Sequence, residues 1–260
     1  MKKLFVVMLI VVVLLGLAAI IDSINKDKAA QVQMETPNSE VETAPVYIEQ
    51  RDASQGVVTI SSPAFTRQIM YVLGDYVNRR EQTNTDSAVL GYYLAGETVE
   101  VTGKSGDWYE IAEGGYIRED LLTDNYDDIV PHFLETYQDL IVTHISHGQR
   151  TEYWYYGKCI ASGDCVTGDA HDHPTPIGLY YITSKQTDID MYGDPDLHAD
   201  YFCAFNGLIG YHNAPWRQGS FGGTIYKGAG SHGCINCPDD LAKAIYDHCS
   251  VNYTYVLILP

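Results

Sequence analysis

Basic residues are scarce in this chain. Only 16 Lys and Arg stand against 34 Asp and Glu, a formal net charge of −18 over 260 residues. So acidic a surface does not neutralise phosphates, which excludes nucleic acid as a partner. It also speaks against electrostatic capture by anionic wall polymers or lipid headgroups. There is no internal repeat, no heptad pattern, no phosphate-cradling glycine loop and no His-Glu-x-x-His. Cys165, Asp169, His171, Asp172, His173 and His198 offer ligand types, but their spacing matches no zinc signature. They read as a polar loop, and neither metal nor cofactor is expected. Tyrosine, by contrast, is abundant: the 21 copies suit both ordinary strands and contact with sugars or peptides.

What the chain does have begins at its N-terminus. Met1-Lys2-Lys3 precedes eighteen uncharged residues, Leu4 to Ile21. As a helix they would span about 27 Å, close to a bilayer core and longer than the apolar part of a typical signal peptide. Residues 1–21 are therefore expected to anchor the chain in the membrane, lysines inside and the remainder exported. Cleavage after Ala18 or Ala19 is the alternative. Residues 22–68 show no sustained period and an acidic bias, as in a flexible linker.

Residues 69–122 change character. Short β-prone runs such as Tyr76-Val77-Asn78, Val89 to Leu94 and Thr98-Val99-Glu100-Val101-Thr102 are punctuated by Gly96, Gly103, Gly106 and Gly114. That spacing suggests a small barrel. Residues 123–138 form an acidic joint, with Ile129, Phe133, Leu134 and Tyr137 at helical spacing. From residue 139 to 260 strands resume. Leu140 to His144 and Arg150 to Tyr155 flank a Ser146-His147-Gly148-Gln149 turn, as in a hairpin. Pro176 and Gly178 punctuate the start of another strand. Tyr192 to Asn206 and Trp216 to Gly230 look loop-rich, and Pro238 to His248 reads as the one clear helix. Leu241, Ala244, Ile245 and His248 would share its face, and Asn236 can cap it. The fold class is mainly β, with one or two helices in the last domain.

The chemistry concentrates in Ser231-His232-Gly233-Cys234-Ile235-Asn236, with His212 upstream in Gly210-Tyr211-His212-Asn213. A cysteine in a glycine-flanked turn presents a sulfur and a backbone N–H to one carbonyl, and a histidine distant in sequence can take the thiol proton. A helix starting just after Cys234 would lower its pKa. Six cysteines in an exported chain allow three disulfides, whose connectivity stays open. Cys159 and Cys165 would share a strand face yet lie too far apart along it to pair. Cys237 completes a C-x-x-C with Cys234, which raises redox gating; the plainer reading is a small buried residue at a helix start.

The Ser-His-Gly-Cys-Ile-Asn string, preceded by Ile209-Gly210-Tyr211-His212 and by the Thr167-Gly168 and Thr175-Pro176-Ile177-Gly178 segments, resembles the L,D-transpeptidase (YkuD) family over roughly residues 138–260. Eighteen residues separate His212 from Ser231, toward the long end of that pattern, and the glycine-rich stretch 219–230 would be the insertion. Val77 to Arg80, Ala95 to Val99, Gly106 to Tyr109 and Gly115 to Ile117 resemble bacterial SH3-like domains. These resemblances imply a YkuD-type β-sandwich-like catalytic domain at 139–260 behind an SH3-like domain at 69–122. They imply Cys234 as nucleophile and His212 as proton acceptor, oriented by the main chain of Asn213. Gly233, His232 and Ser231 would support the oxyanion and the turn, Tyr211, Trp216 and Asn236 would meet substrate, and the loop-rich segments 192–206 and 216–230 would wall the substrate cleft. The expected activity is 3→3 cross-linking of peptidoglycan stem peptides through a thioester, with loss of terminal D-alanine and no cofactor. An L,D-carboxypeptidase at the same site is one alternative. A non-catalytic wall-binding protein acting through its SH3-like domain is another. A cysteine endopeptidase is disfavoured, because its cysteine would precede its histidine. The expected location is outside the cytoplasm, membrane-anchored and facing the cell wall.

Overall fold

A computed structural model describes residues 65–260. The expected anchor and nearly all of the linker lie outside them. Among the described residues no helix is long and apolar enough to cross a membrane.

The first sheet has seven strands: β1 (Gln68–Val72), β2 (Tyr76–Arg80), β3 (Val89–Leu94), β4 (Thr98–Ser105), β5 (Trp108–Ile111), β6 (Tyr116–Arg118) and β7 (Leu122–Thr123). Their order is β3-β2-β6-β5-β4-β1-β7. Alternation in Thr98-Val99-Glu100-Val101 has the expected result: Val99 and Val101 are buried, and their neighbours are not. With Met70, Val72, Val77, Ile111 and Ile117 they make this sheet's own core. A short helix, α1 (Ile129–Leu134), follows and buries Ile129 and Phe133, as their spacing predicted.

The C-terminal half packs two sheets and one longer helix. The five-stranded sheet comprises β8 (Asp139–His144), β9 (Arg150–Tyr155), β10 (Lys158–Asp164), β11 (Gly178–Tyr181) and β16 (Tyr255–Leu259), in the order β10-β9-β8-β16-β11. Its centre is the parallel pair β8 and β16. Both strands are continuous apolar runs because both faces are covered. Ile141, Val256 and Ile258 enter the main core. Leu140, Val142, Leu257 and Leu259 pack the other way against Ile129, Phe133 and Ala95, and so join the two halves of the protein. The hairpin between β8 and β9 forms as expected.

The four-stranded sheet comprises β12 (Ser184–Asp190), β13 (His198–Asn206), β14 (Ile209–Asn213) and β15 (Ile235–Cys237), in that order. The segment from His198 to Asn206 is thus a nine-residue strand rather than part of a loop-rich wall. Only Met191–Gly193 and Pro195–Leu197 remain irregular, as short 3-10 turns. Two more helices complete the domain, α2 (Tyr226–Ala229) and α3 (Asp239–His248). In α3 the buried face is Leu241, Ala242 and Ile245, while Ala244 is half-buried and His248 exposed. Asn236 does not cap it. Pro238 occupies the cap position, and Asn236 lies inside β15.

Candidate active site

Strand period builds the site. On β13, β14 and β15, Cys203, Phe205, Tyr211, Ile235 and Cys237 face the main core. The alternate residues face the other way, where Phe202, Ala204 and Cys234 cluster with Met191 and Ala199. β14 and β15 run parallel with His212 opposite Asn236. This register places Cys234, the residue before β15, beside Gly210, and puts Cys234, Asn236 and His212 on one face.

His212 is 2% exposed and held at both ring nitrogens. Nδ1 lies 2.8 Å from the Asn213 carbonyl oxygen and donates to it. Nε2 accepts from Asn236 Nδ2 at 2.9 Å. The amide's orientation follows from its other end, where Oδ1 accepts from Arg217 Nε at 2.8 Å. Phe202 and Trp216 flank the imidazole, with ring centroids at 6.1 and 5.7 Å. Burial, set against the Asn213 contact, pushes the His212 pKa down to about 4. The ring is therefore neutral at pH 7, the form a base requires.

Cys234 is buried too, and burial raises its pKa despite a hydrogen bond from the Gly210 backbone. The expected help from a helix start is absent: the chain runs on from Cys234 into β15, and α3 begins only at Asp239. The thiol donates to the Leu208 carbonyl at 3.5 Å, so in this state it is not hydrogen-bonded to His212. Resting nucleophile and base are a neutral thiol and a neutral imidazole. Catalytic hydrogen bonds are often long before substrate arrives.

The turn that carries Cys234 is pinned from several sides. Ser231 Oγ accepts from the Gly233 N–H at 3.1 Å and donates to the Cys234 carbonyl. Thr175 Oγ1 donates to the Gly233 carbonyl and accepts from the Gly168 N–H, both at 2.8 Å. The Ser231 N–H donates to Thr167 O at 3.0 Å. Gly233 adopts φ +108°, a conformation that favours glycine. Asn213 is fixed in turn: its Nδ2 donates to Asp200 and Asp239 at 2.8 and 3.1 Å.

Two clefts open onto Cys234. One, of about 180 Å³, is lined by His212, Trp216, Arg217, Ser231, Asn236 and neighbours. The other, of about 540 Å³, is lined by His173, Gln186, Ile189, Phe202, Leu208 and neighbours. Met191, Tyr192 and His232 border both. The His232 ring meets Tyr192 at 5.2 Å and His173 at 4.8 Å, each edge-on. Trp216 and Asn236 thus lie at the cleft as expected. Tyr211 does not: it is 1% exposed on the core face, its hydroxyl 2.8 Å from Thr143 Oγ1. Tyr192 and Arg217, within the two segments expected to wall the cleft, line it, although neither was singled out. Sequence reading missed the roles of Thr175 and Gly168, which stood in recognised segments. Among the described residues no three His, Cys, Asp or Glu side chains converge as a metal centre would need.

Cys234 and Cys237 cannot gate one another in this fold. Three residues apart across a strand, they face opposite sides, Cys234 toward the cleft and Cys237 into the main core. All six cysteines are reduced in the structure.

Comparison with known families agrees with this architecture. Residues 138–258 match the family described as YkuD, L,D-transpeptidase catalytic domain, and residues 75–123 match the bacterial SH3 domain. The C-terminal half is a YkuD domain, and an SH3 domain precedes it. Among solved structures, the chain is similar to the catalytic domain of an Enterococcus faecium L,D-transpeptidase, at 26% identity over 46% of this chain and 96% of that one, with a TM-score of 0.40. A longer E. faecium L,D-transpeptidase structure matches at 20% identity over 73% and 76%, TM-score 0.43. One from Mycobacterium tuberculosis matches at 16% over 73% and 77%, TM-score 0.41. No curated protein matches the chain.

Proposed function

We propose that this protein is a cell-wall L,D-transpeptidase that forms 3→3 cross-links between peptidoglycan stem peptides. The observation that carries the reading is the pairing of β14 with β15. It sets a neutral, doubly anchored His212 and the thiol of Cys234 on one face, in one cleft. Cys234 swings from Leu208 toward His212 as substrate displaces solvent. Asn236 Nδ2 gives up its contact with His212 Nε2, that nitrogen's freed lone pair takes the thiol proton, and sulfur attacks the carbonyl of the third stem residue. The tetrahedral oxyanion needs N–H donors. Since the Gly233 N–H is already donated to Ser231 Oγ, this role falls to those of Cys234 and His232. The proton on His212 goes to the departing D-alanine amine, which leaves a thioester. A side-chain amine from a second stem then attacks the thioester and restores the thiol. The two clefts meeting at Cys234 suit a donor and an acceptor strand. With water in place of the amine, the same steps give an L,D-carboxypeptidase.

The uncharged run of residues 4–21 supports a membrane-anchored protein facing the wall. The SH3 domain supports a wall-binding role alongside catalysis. Its Tyr76 and Tyr92 stack at 4.2 Å while both stay more than half exposed. The test is mass spectrometry of a disaccharide tetrapeptide mixed with the protein, with Cys234→Ala as control. A dimer short of one D-alanine, absent from the control, is expected. D-alanine loss without dimer would mean the carboxypeptidase. No change with a folded, reduced protein would overturn both.

A further inference from the structure

We propose that Cys203 and Cys249 are the site of a structural disulfide that closes a ring around the catalytic segment. Their sulfurs lie 3.6 Å apart, in van der Waals contact, both within the main core. Cys203 is on β13 and Cys249 follows the last residue of α3, 46 positions later. A disulfide needs about 2.05 Å between sulfurs, so roughly 1.5 Å of travel closes the bond.

The other four thiols are directed elsewhere. Cys159 donates to Ala161 O at 3.4 Å, Cys234 to Leu208 O at 3.5 Å and Cys237 to Ile235 O at 3.7 Å. Cys165 is hydrogen-bonded to Thr151. The Cys203–Cys249 pair also has the chemistry for exchange. The contact with Cys203 and, secondarily, the Lys185 ammonium, which sits on the Cys249 carbonyl at 2.8 Å, lower the Cys249 pKa against the opposing effect of burial.

In the reaction, the Cys249 thiolate attacks one sulfur of an external disulfide, either a low-molecular-weight disulfide or a disulfide oxidoreductase, and releases one thiol. Cys203 then loses its proton and displaces the second thiol from the mixed disulfide. Two protein thiols lose two electrons and two protons; the external disulfide gains them. The ring so closed spans residues 203–249 and contains His212, Cys234 and Asn236. It ties β13 to the helix that follows β15. It also leaves the nucleophile as a free thiol, because the partner best placed for each of the two sulfurs is the other.

The experiment uses the full chain, equilibrated with glutathione disulfide, unfolded in guanidinium and alkylated with iodoacetamide. Four alkylated cysteines are expected before reduction and six after it, and peptide mapping should link Cys203 to Cys249. Reduction should lower the Tm by about 5–10 °C. The Cys203→Ala/Cys249→Ala double variant should show no such shift. Cross-linking activity plays no part in the readout, so the result stands apart from the enzymatic reading. Six alkylated cysteines before reduction, or a linked pair that includes Cys234 or Cys237, would overturn the proposal.

Discussion

Asn236 Nδ2 donates to His212 Nε2 at 2.9 Å, across the parallel register that pairs the two residues. A donor on that nitrogen favours the neutral ring, since a protonated Nε2 has no lone pair to offer it. Asn236 therefore keeps the resting ring neutral and, through Arg217, in place, and it releases Nε2 when that nitrogen takes the thiol proton. Asn236→Ala should leave the buried His212 Nε2 and the half-buried Arg217 Nε without this partner and cost about 1–3 kcal/mol of stability. It should also lower kcat at least about tenfold and move the acid limb of the pH–rate profile upward. A folded variant with unchanged kcat and an unchanged limb would show that the contact does not hold the base.

Much of this arrangement was legible in the sequence, because period-2 strands and one six-residue string carry it. The alternation in β4 and the apolar runs of β8 and β16 read directly. β13 did not. Its start follows Asp194-Pro195-Asp196, which reads as turn, and its Tyr201 to Phe205 run is apolar on both faces, so no alternation marks it. The expectation that Tyr211 meets substrate fails because, next to His212 in a strand, it faces the opposite way. The same rule separates Cys234 from Cys237. Asn236 looked like a helix cap only because β15, three residues long, is too short to announce itself. Arg217 carries no local pattern; its place depends on the 3-10 turn Pro215–Arg217 folding back onto β15.

The buried imidazole makes stability depend on pH. His212 has a pKa of about 4 in the fold against an ordinary value of 6.5, so between these the unfolded chain binds the extra proton. Its contribution is fully present above pH 6.5 and is lost as pH falls through 4. The loss amounts to about 3 kcal/mol. Urea titrations at pH 7.5 and pH 4 should show that fall, and His212→Gln should reduce it. An equal fall in the variant would mean that other groups carry the acid sensitivity.

Burial raises the Cys234 pKa, and no helix dipole opposes it. Alkylation of the folded protein by iodoacetamide should then accelerate continuously from pH 7 through pH 9. A plateau near neutrality would instead reveal a stable thiolate–imidazolium pair and remove the neutral resting state derived above.

Cys237 lies fully buried on the core side of β15. Cys237→Ala should therefore keep cross-linking within about threefold of the parent, at a stability cost of about 1–2 kcal/mol for the vacated volume. Glutathione disulfide should leave the parent's activity unchanged. An oxidative loss of activity that Cys237→Ala abolishes would restore the gating idea.

Gly168 holds the nucleophile's turn through backbone proximity rather than through conformation. A Cβ there would sit 2.1 Å from His173 O, 2.7 Å from Thr175 N and 2.8 Å from Gly233 Cα. Each of these atoms is backbone, so a side-chain shift cannot relieve the clash. Relief requires moving the 173–175 segment, which breaks the Thr175 bond to the Gly233 carbonyl, or moving the Gly233 turn, which displaces Cys234. Overpacking of this kind costs about 1–3 kcal/mol or more. Gly168→Ala should thus lower the Tm and abolish most activity, whereas Thr175→Ser, which keeps the hydroxyl, should retain both. Were Gly168→Ala to fold and turn over normally, the close packing of the 168 and 233 backbones would not be what fixes the cysteine.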